Sequence, residues 1–260
     1  MNIMKDFSLP EQDLEKIIVK ESLRAINAAS EKSGVKSHIC GGMAVSGYLP
    51  PNIRRSTIDL DFTFLWGGNC EEFRELMNPF VEYLRDKGFS VEVKKRDKTY
   101  DISVRSSCDF LLVQHQIRTR KNFEKQRRCL EREFAHNRRL FKQDVVFDAL
   151  SPEDIALHKL SRILTFSDVY GIEIPQRFKI LNIRNMACQL KEEIKKLAEN
   201  ADARDIARLR IYHDVYDIMA LAEYVGFNMP YFEKGLSDWT SKYMDKEKAI
   251  RLLKYIGASI

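Results

Sequence analysis

Two aspartates set two residues apart, Asp59 and Asp61, lie in an alternating segment rich in β-branched and aromatic residues, Thr57–Trp66 (TIDLDFTFLW). Such a segment reads as a strand, and on a strand residues i and i+2 share a face. Both carboxylates then project together, while Ile58, Leu60 and Phe62 turn toward a core. Neighbouring carboxylates repel each other and are costly to bury unpaired, so a positive charge is expected between them. Hard oxygen ligands on one rigid face suit Mg²⁺, which also accepts substrate phosphates as ligands. Upstream, the short apolar segment Ser-His-Ile-Cys-Gly-Gly-Met-Ala at 37–44 runs into a Gly41-Gly42 turn. Without Cβ atoms, a backbone can approach a phosphate closely and direct N–H groups at it. An Asp-x-Asp strand beside a glycine cradle describes phosphoryl or nucleotidyl transfer.

A second chemical signal is charge. The stretch from Arg118 to Lys142 holds ten lysines and arginines against only Glu124, Glu131 and Glu133, in a chain whose net charge is +5. It reads either as a solvated helix face or as a surface for a phosphate backbone, and the sequence leaves both open.

These groups need elements to hold them. Residues 10–30 show helical spacing of Leu14, Ile17, Ile18, Leu23 and Ile26, with acidic residues in the first turn. Residues 71–87 read as a helix with Phe73, Leu76, Phe80, Val81 and Leu84 on one face and Gly88 as its cap. Strands are expected at 89–95, 100–104, 108–116 and 144–149. From Ser151 the pattern changes: Ser-Pro-Glu-Asp is a strong helix start, and helices are expected at 152–165, about 176–199, 203–225 and 245–257. An α/β domain over 1–150 is thus followed by a helical domain over 151–260.

Composition excludes other classes. The 260 residues are 44% hydrophobic and 31% charged, so disorder is excluded, and no apolar run approaches a membrane span. The start, MNIMKDFSLPEQDLEK, has no secretory h-region. Cys40, Cys70, Cys108, Cys129 and Cys188 form no C-x-x-C pair, which reads as buried free thiols in a reducing cytoplasm. There is no zinc spacing, Walker loop or G-x-S-x-G motif.

The run Gly-Gly-x-Ala … Arg-x-Thr-x-Asp-Leu-Asp-Phe, within 39–62, resembles the DNA-polymerase-β-type nucleotidyltransferase superfamily. More narrowly it is similar to the AbiEii branch, the nucleotidyltransferase toxins of bacterial toxin–antitoxin and phage-abortive systems. The resemblance implies an α+β chain: a polymerase-β-type mixed sheet with flanking helices, then an α-helical lobe, with an NTP–Mg²⁺ site in the cleft between them. It implies that Gly41 and Gly42 hold the triphosphate, that Arg55 joins the nucleotide site, and that Asp59 and Asp61 bind Mg²⁺.

The family's third carboxylate binds a metal and acts as base. Asp109, opening an apolar strand in the expected order, is the first choice; Asp101 is its rival and Asp148 a further one. The helix containing Lys159 resembles one whose lysine contacts the β- or γ-phosphate, as a charge whose loss would barely change stability. Arg210-Ile-Tyr-His-Asp214-Val-Tyr-Asp217 resembles an Arg/Lys-Asp-x-x-Asp motif, with His213 in the basic place. Asp214 is given a catalytic role, with pairing to Lys159 or to arginines as the alternative.

The implied activity is transfer of NMP from an NTP to a hydroxyl, with a two-cation Mg²⁺ site and release of pyrophosphate. RNA, such as a tRNA end, is the expected acceptor, and an antitoxin protein a possible partner. The alternatives are a small-molecule (aminoglycoside-type) transferase, or a catalytically silent module of the same fold that binds nucleic acid or a partner.

Overall fold

The computed structural model describes residues 12–55, 57–142, 144–175, 185, 189, 192–193, 202–238 and 245–258. They divide into two compact units: one takes the chain up to Gly47 and the stretch that ends at Ser151, the other takes Tyr48–Arg55 and the stretch from Pro152 onward.

The first unit begins with helix α1, Ile17–Ser33. It starts later than the periodicity predicts, because the Asp13 carboxylate accepts hydrogen bonds from the backbone N–H groups of Glu15 and Lys16 and closes a turn instead. Gly34, at φ 68°, ends the helix in a left-handed cap. Strand β1 (Ser37–Ile39) leads into helix α2 (Gly41–Tyr48), where the sequence suggested only a glycine turn. Strand β2 covers Asp59–Phe64, and helix α3 covers Cys70–Asp86 behind an Asn69–Glu72 capping box. Strands β3 (Ser90–Lys95), β4 (Thr99–Arg105) and β5 (Phe110–Gln116) follow.

The basic stretch forms two elements, helix α4 (Arg120–His136) and strand β6 (Arg138–Lys142), before β7 (Val145–Ala149). The seven strands form one mixed sheet in the order β3-β4-β5-β2-β1-β7-β6. β2 runs parallel to β5 and β1 parallel to β7; the other neighbouring pairs are antiparallel.

The sheet has two unlike faces. On one, Leu60, Phe62, Tyr100, Ile102, Val113 and His115 are buried. Phe73 of α3 stacks on Tyr100 with ring centroids 3.9 Å apart, and the same ring lies 5.0 Å from His115. The alternate residues of the central strands, among them Asp59, Asp61, Asp101, Ser103 and Gln114, point to the other face and are partly exposed. This is the period-2 segregation that the Thr57–Trp66 pattern announced.

The second unit is helical where described: α5 (Pro152–Tyr170), α6 (Ala203–Tyr224), α7 (Met229–Asp238) and α8 (Lys246–Ile256). Its core gathers Leu157, Leu160 and Ile163 of α5, Ile211, Val215 and Ile218 of α6, Phe232 of α7 and Leu253 of α8. The α7 helix was not anticipated. The helix expected at 176–199 falls almost wholly outside the described residues. Among them, no helix is long and apolar enough to cross a membrane.

Candidate functional site

Asp61 is placed by two backbone events. Its carbonyl accepts the Cys40 N–H at 2.9 Å, which ties the end of β1 to β2. Gly41 follows at φ 65°, and a Cβ built there would stand 2.2 Å from the Asp61 Oδ2 atom. Only glycine satisfies both the positive φ and the contact. The first turn of α2 thus lies directly against the Asp61 carboxylate, and it contains no acidic residue. Asp59 shares the face, and its Oδ1 accepts the Thr57 hydroxyl at 3.1 Å. Desolvation and then the Asp61 charge push the pKa of the Cys40 thiol well up, away from its thiolate form.

The register across the sheet decides which other carboxylates share this face. Asp61 pairs with Gln114 on β5, and Gln114 pairs with Asp101 on β4. The three side chains form one row. Gln114 Nε2 donates to Asp101 Oδ1 at 2.9 Å; that oxygen also accepts Thr99 Oγ1 at 2.8 Å, and Arg96 Nε lies 3.3 Å from Asp101 Oδ2.

Asp109 is not brought to this row. It sits in the β4–β5 turn ahead of β5, three residues upstream of Leu112, the partner of Asp59, and 3.8 Å from Lys16 Nζ. Asp148 shares the polar face, but in the row of His38 and Thr63, with His38 between it and β2. Among the described residues no three His, Cys, Asp or Glu side chains converge as a metal-ligand group.

The helical unit holds a second constellation. Lys159 Nζ lies 2.8 Å from Asp214 Oδ1 and 2.8 Å from Asp217 Oδ2. Arg162 forks onto Asp214 at 2.6 and 2.5 Å, and Arg55 forks onto Asp217 at 2.8 and 2.7 Å. Lys159-x-x-Arg162 on α5 thus meets Asp214-x-x-Asp217 on α6, each pair spaced to face one way. Burial alone would raise both carboxyls, but the cations outweigh it and hold both below the ordinary range: Arg162 and Lys159 act on Asp214, Arg55 and Lys159 on Asp217.

His213 is pushed down to about 3 by desolvation and then by Arg55, so it is neutral near pH 7. Tyr216 donates its hydroxyl to the Ile53 carbonyl, pinning the segment that carries Arg55 to α6. Lys159 is 3% exposed and Arg162 41%. Lys159, expected from the sequence to be a charge dispensable to stability, lies between two buried carboxylates.

Sequence reading did not single out Gln114 or Arg162. Arg162 had a signal, the matched i, i+3 spacing of the two pairs. Gln114 had none, since only the parallel β2–β5 register sets it beside Asp61.

No protein-family model matches the sequence, and no match emerges among curated proteins. Solved structures do match. An antigenic nucleotidyltransferase-like protein from Paracoccidioides brasiliensis superposes with a TM-score of 0.50 at 11% identity, over 96% of each chain. The fold is that of a nucleotidyltransferase-like protein. The Vibrio cholerae cyclic AMP-GMP synthase DncV also matches at 11% identity, over 95% of this chain and 85% of that one, but its TM-score of 0.25 is too low to bear on the argument.

Proposed function

We propose that this chain is a Mg²⁺-dependent nucleotidyltransferase that moves NMP from an NTP onto a hydroxyl acceptor and releases pyrophosphate. The observation that carries this reading is the seating of the Asp61 carboxylate in the space that Gly41 leaves, with Asp59 beside it on the same strand face. The donor set fits Mg²⁺, an ion commonly held by one or two carboxylates with phosphates and water completing its shell. When bound, the cation would neutralise phosphate charge and favour ionisation of an attacking hydroxyl. Gly41 and Gly42 open α2, where unpaired N–H groups and the helix dipole favour an anion such as a triphosphate. In this reading Lys159, Asp214 and Arg55 belong to an ion cluster that braces the helical unit rather than to the groups that touch substrate.

The proposed acceptor is RNA, such as a tRNA end, and a toxin-like role with an antitoxin partner remains part of the proposal. The exposed side of α4 supports a polyanionic acceptor: Arg120, Lys121, Lys125, Arg127 and Arg128 are all exposed there. Incubation with each α-labelled NTP, Mg²⁺ and total RNA tests the whole reading. Label should enter RNA with the wild type and fall below about a hundredth of that level with Asp59→Ala or Asp61→Ala, which remove ligands of the reacting centre. Near-wild-type labelling by either variant would refute the assignment. Label on the protein itself, or on an added aminoglycoside, would move the acceptor.

A further inference from the structure

We infer that a cavity of the first unit, lined by Tyr100 and Lys95, is a second ligand site that takes a small organic phosphate. The inference is independent of the metal-dependent reading above. The cavity measures about 440 Å³, within the usual range of ligand pockets, and its lining comes from residues between Gly68 and Arg120. Lys95 on β3 and Tyr100 on β4 are register partners, so their side chains stand together on one face of the sheet. That is the face α3 covers, where Phe73 stacks on Tyr100. Asp59 and Asp61 project from the other face, so the cavity is not part of the candidate site.

The observation that points to a ligand is the Tyr100 hydroxyl. The residue is 1% exposed and its ring is held against Phe73. A buried phenol ordinarily finds a hydrogen-bond partner, yet no described group bonds this one. Because the side chain lines the cavity, a ligand there supplies the partner. Burial and then Cys70 raise the phenol's pKa, so it stays protonated and donates. Lys95 adds an ammonium that no described residue pairs with. Thr119 and Arg120 bring the N-terminus of α4 to the same wall, and its first turn holds no acidic residue, which leaves N–H groups for an anion. Glu72, the acid of the described wall, is already engaged: Oε1 accepts Arg120, and Oε2 accepts the Asn69 N–H at 3.0 Å. The wall is therefore rich in donors and poor in acceptors. A phosphate monoester, with a charge of about −1.5 to −2 at pH 7 and three acceptor oxygens, suits it. The volume is far larger than a bare ion requires and Ile117 adds an apolar side, so the ester carries an organic body.

Cys70 reports on occupancy, because its half-buried thiol lines the same cavity, while Cys108 is exposed in the β4–β5 turn. Alkylation of both by iodoacetamide is followed by peptide mass spectrometry in the full chain, with EDTA present so that no divalent cation occupies the Asp59–Asp61 face. Phenyl phosphate is the probe, with phenol and benzoate as its neutral and carboxylate counterparts. Phenyl phosphate should slow alkylation of Cys70, with half-protection at about 1 mM or below, and leave Cys108 unchanged. Lys95→Gln and Tyr100→Phe should each raise that concentration about tenfold, the first by losing the charge and the second by losing the hydroxyl while keeping the Phe73 stack. Absence of protection, equal slowing at Cys108, or protection unchanged in either variant would overturn the site. Equal protection by benzoate would overturn the phosphate assignment, and equal protection by phenol would overturn the anion assignment.

Discussion

Lys159 and Gly41 show how much one residue can decide. The ammonium of Lys159 sits 2.8 Å from each of two fully buried carboxylates. Removing it leaves each carboxylate with a single arginine and one buried oxygen short of its partner, and breaking a buried ion contact costs about 3–5 kcal/mol. Lys159→Met should therefore lower unfolding free energy by about that amount in urea titrations. A Lys159→Met variant within about 1 kcal/mol of the wild type would show that Arg55 and Arg162 suffice to balance Asp214 and Asp217. At Gly41 the physics is steric. A methyl group meets Asp61 Oδ2 at 2.2 Å on a backbone at φ 65°. Gly41→Ala should cost about 2 kcal/mol or more, from left-handed strain and displacement of the carboxylate. Mn²⁺ affinity should fall with it. Preserved stability and preserved affinity together would mean that the turn relaxes without moving Asp61.

Elements behave differently from single residues, and α4 is the clearest case. Its sequence reads as one block of positive charge, but folding pairs part of that charge. Arg127 meets both Glu124 and Glu131, and Arg120 meets Glu72. Lys121 and Lys125 are exposed on the same helix. If α4 tracks a single-stranded RNA backbone, affinity should fall with salt at a log–log slope of about −0.7 per phosphate contacted. Lys121→Glu/Lys125→Glu should flatten that slope, whereas Arg127→Gln should change it little. Equal effects of the two variants would remove α4 as the RNA surface. The same element shows what was legible in the sequence. Periodicity located β2, α3 and β5 to within a few residues, because each has one apolar face. It missed β6, whose Arg-Arg-Leu-Phe-Lys has no apolar alternation and is recruited by β7. It also placed Asp109 on a strand, whereas β5 starts one residue later and Asp109 ends a turn whose N–H groups are bound by Ser106. Asp59 and Asp61 were legible because i, i+2 spacing is local. Gln114 was not, because sheet register is long-range.

On the scale of the whole molecule, the two units share one acid-sensitive feature. Each holds a histidine whose surroundings favour the neutral ring. His115 in the first unit lies in the aromatic core beside Phe62, Phe64 and Phe73; burial, then Arg118, push its pKa well below the ordinary value. Its Nε2 accepts the Phe64 N–H at 3.1 Å, a role the charged ring would lose. His213 in the second unit is pushed down to about 3. In the unfolded chain both titrate near 6.5, so below that pH the unfolded state binds more protons and stability falls. For His213 the loss accumulates from about pH 6.5 down to about pH 3, and above pH 6.5 the ring contributes no slope. Asp214 and Asp217 act in the same direction at lower pH: their folded pKa values are depressed, so the stability they add is present above about pH 3.8 and lost as pH falls below it. If the units unfold separately, each transition carries the proton of its own histidine; if they unfold together, one transition carries both. His213 should contribute a one-proton slope of about 1.4 kcal/mol per pH unit between roughly pH 6 and pH 4.5, and His115 should add a loss in the same direction below about pH 6.5. Urea midpoints measured every half pH unit from 7.5 to 4.5 check this. His213→Gln should remove one proton from the dependence and leave the contribution of His115. A wild-type curve flat from pH 6.5 to pH 5 would mean that both rings accept protons without cost, and that the aromatic core around His115 opens far more readily than its packing indicates.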